Sequence, residues 1–165
     1  MPQHTRLDVD ENRDFQEKFW TFQRFAWAAM VLILVAALAG ATGSGGPLAH
    51  ATASGPGGSI DYPRIARWQA AERMIVRLPP DAAGTARIEL GEAFARTFAI
   101  ENIEPQPSSS VATAAGHRYE FDLGDGPGEK RIILHLRAAS PSPPVRVPAR
   151  LGEASALPLR LVVLP

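Results

Sequence analysis

The stretch Phe25–Thr42, FAWAAMVLILVAALAGAT, holds eighteen consecutive residues without a charge, and no other feature limits as strongly what the chain can fold into. A helix of about 17–25 apolar residues is what crosses a bilayer core. Its centre, Val31-Leu32-Ile33-Leu34-Val35, contributes with Leu38 roughly −2 to −4 kcal/mol on the biological insertion scale. One transmembrane helix is therefore expected over residues 25–43, behind a tail over residues 1–24. Lys18 and Arg24 lie just before the span and Arg13 and Arg6 further out, whereas the next basic residue beyond it is Arg64. That asymmetry predicts an N-terminus on the cytoplasmic side of the inner (plasma) membrane and a C-terminal domain in the periplasm or outside the cell.

Phe19, Trp20, Phe22, Phe25 and Trp27 crowd the entry point, where amphipathic rings favour the headgroup layer. With Arg24 beside them, Trp20 and Trp27 are the expected membrane-interface residues. Phe15, Phe19 and Phe22 recur at i, i+4 and i+7, so residues 14–24 read as an amphipathic juxtamembrane helix. A cleaved signal peptide is the competing reading, because Ala49-His50-Ala51 has the small-x-small form of a cleavage site. The five acids ahead of the span, Asp8, Asp10, Glu11, Asp14 and Glu17, and its length fit a retained anchor better. Ala29, Ile33, Ala36, Gly40 and Gly43 recur along one side of the helix, and Ala36-xxx-Gly40 is a small-xxx-small pair on which a partner helix can pack. Ala and Gly are also simply common in such helices, which is the plainer account.

Residues 44–60 are almost wholly Gly, Ala, Ser, Thr and Pro, a composition that buries little apolar area and predicts a flexible tether. Tyr62-Pro63-Arg64-Ile65-Ala66-Arg67-Trp68 follows. Arg64, Arg67 and Trp68 suit an anionic headgroup layer or a neighbouring subunit, while Ile65 and Trp68 suit packing beneath the domain as a short helical turn.

From residue 61 to the C-terminus a small, mainly β domain is expected. Strand signals fall at 74–78, 86–90, 99–104, 117–123, 130–136, 145–149 and 157–164, with one short helix over 91–98. In Arg118–Leu123 the alternation turns Tyr119, Phe121 and Leu123 inward. A hairpin is predicted between this strand and Lys130–Leu136, through the Gly124–Gly128 turn. About seven short strands with frequent turns predict an immunoglobulin-like β-sandwich, with a small open β-barrel as the alternative.

Chemistry is sparse. The chain has 17 basic and 17 acidic residues, so no net field favours nucleic acid as a partner. It has no cysteine, which removes disulfides, thiolate metal sites and thiol nucleophiles. His117 and His135, near each other if the hairpin forms, are the weak candidates for a metal site, with Glu120 beside them. Glu101 and Glu104 fall on opposite faces of a regular strand, which argues against a paired acid and base. No catalytic residue and no cofactor is expected.

The expected function is a single-pass, membrane-anchored accessory or assembly subunit. Its partners are the lipid bilayer and a membrane protein or a second copy of itself; the alternative is a periplasmic metal- or small-ligand-binding protein. The layout resembles, in domain order alone, the single-span assembly factors that deliver copper to cytochrome oxidases through an immunoglobulin-like domain. Their copper-binding cysteines have no counterpart in this chain. The content of Ala, Arg, Gly and Pro points to a GC-rich bacterial source.

Overall fold

The computed structural model describes residues 13–42, 45–79, 84–124 and 130–165. They divide into two units, the first ending at Val35 and the second running from Ala36 to Pro165. The first is the helix α1 (Arg13–Leu38), whose last turn belongs to the second unit. Every residue from Gln16 to Val35 is exposed within the chain. The 23-residue stretch Gln16–Leu38 is long and apolar enough to cross a membrane, as a membrane anchor or a signal sequence is.

The end of α1 is set by a glycine. The Gly40 amide donates to the Ala37 carbonyl and the Ala41 amide to the Ala36 carbonyl, each across 3.0 Å. These two bonds make a Schellman turn, which needs a left-handed residue just past the cap, and Gly40 supplies it with φ +94°. A side chain there would meet the Gly45 carbonyl oxygen at 2.3 Å.

The second unit is mainly β. Its elements are β1 (His50–Gly55), β2 (Gly58–Pro63), β3 (Ile65–Arg67), β4 (Ala71–Leu78), β5 (Thr85–Gly91), α2 (Glu92–Thr97), β6 (Phe98–Glu104), β7 (Ser109–Thr113), β8 (Gly116–Asp122), β9 (Lys130–Ala138), β10 (Ser142–Leu151) and β11 (Leu157–Leu164). They form two sheets, ordered β1-β2-β4-β9-β6 and β3-β11-β10-β5-β8-β7. Pairing is antiparallel except where β3 lies parallel to β11.

All seven expected strands and the short helix are present, within three residues of their expected bounds. Four further strands, β1, β2, β3 and β7, were not anticipated. Residues 50–63 are a hairpin rather than a tether, closed at Gly55–Gly58. Its pattern hides in small residues: Ala51 and Ala53 pack against the core, alternating with exposed His50, Thr52 and Ser54. The partner strand brings in Ile60 and Tyr62, both buried. Ile65–Arg67 is likewise a strand, not a helical turn.

The predicted hairpin does not form. β8 pairs with β5 and β7, whereas β9 pairs with β4 and β6 in the other sheet. A turn-forming segment announces a reversal but does not choose the partner. The pairing found is complementary: Arg118 and Glu120 on β8 stand directly opposite Glu89 and Arg87 on β5, and opposite charges in register add modestly to a strand pair. β9, with Ile132, Leu134 and Leu136 fully buried, lies inside its sheet.

One apolar cluster draws on both sheets. Met74, Val76, Ile132 and Leu134 come from the first, and Ile88, Phe121, Val147 and Leu159 from the second. Phe94 of α2 and Phe98 of β6 are buried in the same cluster, their ring centroids 5.4 Å apart. Tyr119 and Leu123 pack against it beside buried Phe121, as the alternation predicts. The one buried polar side chain among the described residues, Thr97, is satisfied by donating its hydroxyl to the Ala93 carbonyl.

Candidate functional site

On α1 the aromatic residues stand outward. The Arg24 guanidinium lies 4.6 Å from the Trp20 ring centroid, one helical turn away, a cation–π contact that neutralises no charge but anchors the side chain. Trp27 is exposed like them.

The small-residue side of the helix is shorter than its spacing suggests. Ala29 and Ile33 are exposed and Ala36 is half-buried in the last turn. Gly40 is not on the helix: it ends it, and is buried against its own chain. Gly43 lies outside the described residues. The Gly at this spacing has a backbone task, which removes it from any packing face.

His117 and His135 belong to different sheets, so the route that was to bring them together, the hairpin, does not exist. The His117 ring stacks beside Tyr119, and His135 Nε2 lies 3.4 Å from Glu104 without hydrogen-bond alignment. Among the described residues no three His, Asp or Glu side chains converge to hold a metal. Glu101 and Glu104 do share a face, contrary to the regular-strand expectation. A register shift between Ile100 and Asn102 turns Glu101 toward Arg137, which lies two residues from His135 on β9.

Two surface features remain. The first is a cleft of about 690 Å³ over the outer side of β5, β8 and β10. Its floor is a charge ladder: Arg118 Nε donates to Glu89 across 2.7 Å, Arg150 approaches Glu89 to 4.0 Å, and Arg87 bonds both Glu120 and Glu153. Small residues of the turns at Thr113–Ala115 and Gly152–Ala156 form its walls. The charges themselves are visible in the sequence as Arg-x-Glu repeats at 87–89 and 118–120; that they oppose each other is not.

The second lies where the chain leaves α1. The Leu48 amide donates to the Ala39 carbonyl across 2.9 Å, and the Ala49 carbonyl accepts the amides of Arg64 and Ile65 at 2.7 and 3.0 Å. A cavity of about 470 Å³ beside this crossing is lined by Gly45, His50, Arg67, Glu72 and Arg73. Burial pushes the Glu72 carboxyl above its ordinary range, an effect that His50 opposes. Trp68 is half exposed next to Arg67 and donates its indole N–H to the Ala139 carbonyl at 3.3 Å. The interface residues read from the sequence, Arg64, Arg67 and Trp68, thus stand in this region as exposed side chains. Leu48, His50 and Arg73 were missed, because only the fold brings them to the same place.

No protein-family model matches this chain, and no curated protein matches it.

Proposed function

We propose that the chain is a single-pass membrane protein, cytoplasmic at its N-terminus, that serves as an accessory or assembly subunit for a membrane-protein partner. In this reading α1 spans the inner membrane and the β unit, a two-sheet sandwich of immunoglobulin-like architecture, lies beyond it. The shared apolar cluster supports the sandwich.

The observation that carries the anchor is the exposure of every residue from Gln16 to Val35. A run of Phe, Trp, Leu, Ile and Val left exposed within its own chain needs lipid or another helix as solvent. Retention of the helix is supported by β1: the cleavage-like Ala49-His50-Ala51 is paired with Pro63 and Tyr62, and Ala49 is buried. Cutting there would sever a strand that the sheet holds.

Photo-crosslinkers placed at Ala29 and at Val31, about 200° around the helix, test the partner in native membranes. Crosslinking to one membrane protein, or to a second copy, from Ala29 and not from Val31 is the expected result. Release of the full chain by alkaline carbonate, or absence of crosslinks from both positions, refutes the reading.

The cleft over the Arg87, Glu89, Arg118 and Arg150 ladder favours a second reading, binding of a small charged ligand by the β unit. Its volume lies within the range of about 300–1,000 Å³ typical of ligand sites. Calorimetric titration of the full chain with small dicarboxylates and with zwitterionic amino acids decides this, and no heat from either class removes it.

A further inference from the structure

We propose that the corner of the β unit at the exit of α1 docks on anionic phospholipid headgroups, with Arg67 and Arg73 holding the phosphate. This rests on the membrane-anchor reading and names what the outer end of the anchor engages.

The path of the chain sets the position. The apolar stretch long enough to cross a membrane ends at Leu38, where α1 also ends. The Ala39 carbonyl is therefore at the outer end of the anchor. Leu48 is hydrogen-bonded to that carbonyl, and Arg64 and Ile65 are hydrogen-bonded to the next residue, Ala49. The corner cannot leave that end without breaking these bonds.

The side chains at this end suit the headgroup layer. Among the described residues beyond α1, the exposed large apolar side chains are Leu48 (47%), Trp68 (48%) and Val111 (50%). Two of the three flank this corner. An indole with one polar edge and an aliphatic side chain beside arginines is the composition that membrane interfaces select.

Charge agrees with position. Arg87, Arg96, Arg118 and Arg137 are each paired with a glutamate, whereas among the described residues no carboxylate pairs with Arg64, Arg67 or Arg73. Arg67 and Arg73 line the same cavity with His50. Guanidinium forks match phosphate oxygens two at a time, which a compact ammonium cannot do. The one carboxyl that lines the cavity, Glu72, is half buried, and burial raises its pKa.

Native mass spectrometry of the detergent-solubilised full chain, titrated with phosphatidylglycerol or phosphatidylcholine, tests this. The wild type should retain phosphatidylglycerol in preference to phosphatidylcholine. The double variant Arg67→Gln/Arg73→Gln should lose about 30-fold in phosphatidylglycerol affinity, two arginines at about 1 kcal/mol each. Arg146→Gln/Arg160→Gln, which removes the same charge from the outer side of β10 and β11, should change it little. Equal loss in both variants, no headgroup preference in the wild type, or displacement of the lipid by inorganic phosphate overturns the proposal, the last in favour of a soluble anion. Carbonate extraction run in parallel separates the two readings. A chain that stays in the membrane without headgroup preference refutes this inference alone, and a wild type that washes out refutes the anchor.

Discussion

The Leu48 amide closes on the Ala39 carbonyl across 2.9 Å, so the chain leaving α1 folds back onto the carbonyls at the end of the helix. Two glycines make that return possible. Gly40 takes φ +94°, and Gly46 takes φ +100° with the Ala39 carbonyl carbon 2.8 Å from where a Cβ would stand.

Gly40→Ala and Gly46→Ala should each destabilise the junction by about 1–3 kcal/mol, the cost of a left-handed non-glycine residue, with the close contact added. Hydrogen exchange of the full chain in micelles is the measurement. Faster exchange at Leu48, Arg64 and Ile65, with Ile132 and Leu134 unchanged, is the expected pattern.

The charge of α1 has a sharp position dependence. Leu32→Arg places a guanidinium in the apolar centre and should cost about 3 kcal/mol of insertion free energy. The membrane-bound fraction after carbonate extraction should fall, while Gln16→Arg at the margin should leave it unchanged.

Phe121 is fully buried where β8 faces the shared cluster. Phe121→Ala should cost about 3–5 kcal/mol, transfer and cavity together. A lower urea midpoint for the full chain in micelles reads it. A loss well under that range would mean the two sheets do not share a tightly packed core.

The Arg87–Glu120 and Arg118–Glu89 pairs join β5 to β8 on a half-exposed face. Glu89→Ala should cost only about 0.2–1 kcal/mol, because such pairs are screened by water and salt. The difference between Glu89→Ala and wild type should shrink when the urea titration is repeated in high salt.

Glu72 gives stability a pH dependence of known sign. Burial holds its carboxyl above the ordinary value near 4.5, so the folded chain keeps its proton longer than the unfolded chain does. Below that value both states are protonated and Glu72 costs nothing. As pH rises through it, the unfolded chain ionises first and stability falls until the folded group has ionised too. Glu72→Gln should therefore stabilise the chain at about pH 7 and leave it unchanged at about pH 4, as thermal unfolding at the two values will report.

How far the sequence could be read follows from how each element is encoded. Strands with large alternating side chains, such as Tyr119 and Phe121 on β8 or Ile132 and Leu134 on β9, announce themselves. β1, built from His50-Ala51-Thr52-Ala53-Ser54-Gly55, has the same alternation written in single methyl groups, so composition read as a tether outweighed it. β7, Ser109–Thr113, is an edge strand with almost no buried residue, and carries no periodic signal to find. The metal candidates His117 and His135 fell with a pairing that turn chemistry suggested and that the fold does not contain, because β8 and β9 lie in different sheets. Arg64, Arg67 and Trp68 were legible as a basic and aromatic cluster, which the fold leaves exposed, but their neighbours Leu48, His50 and Arg73 were not.

By itself the sequence determined what depends on local composition: an apolar helix long enough to span, the basic and aromatic residues gathered at its entry, and the positions of seven strands and a short helix. Those are properties of neighbouring residues, and they persist whatever else the chain does. Tertiary structure alone decided which strand meets which, because pairing is a competition among distant segments settled by register, charge and burial together. That competition separated the two histidines, turned a small-residue linker into a hairpin, and used Gly40 to end a helix where spacing had offered it to a partner.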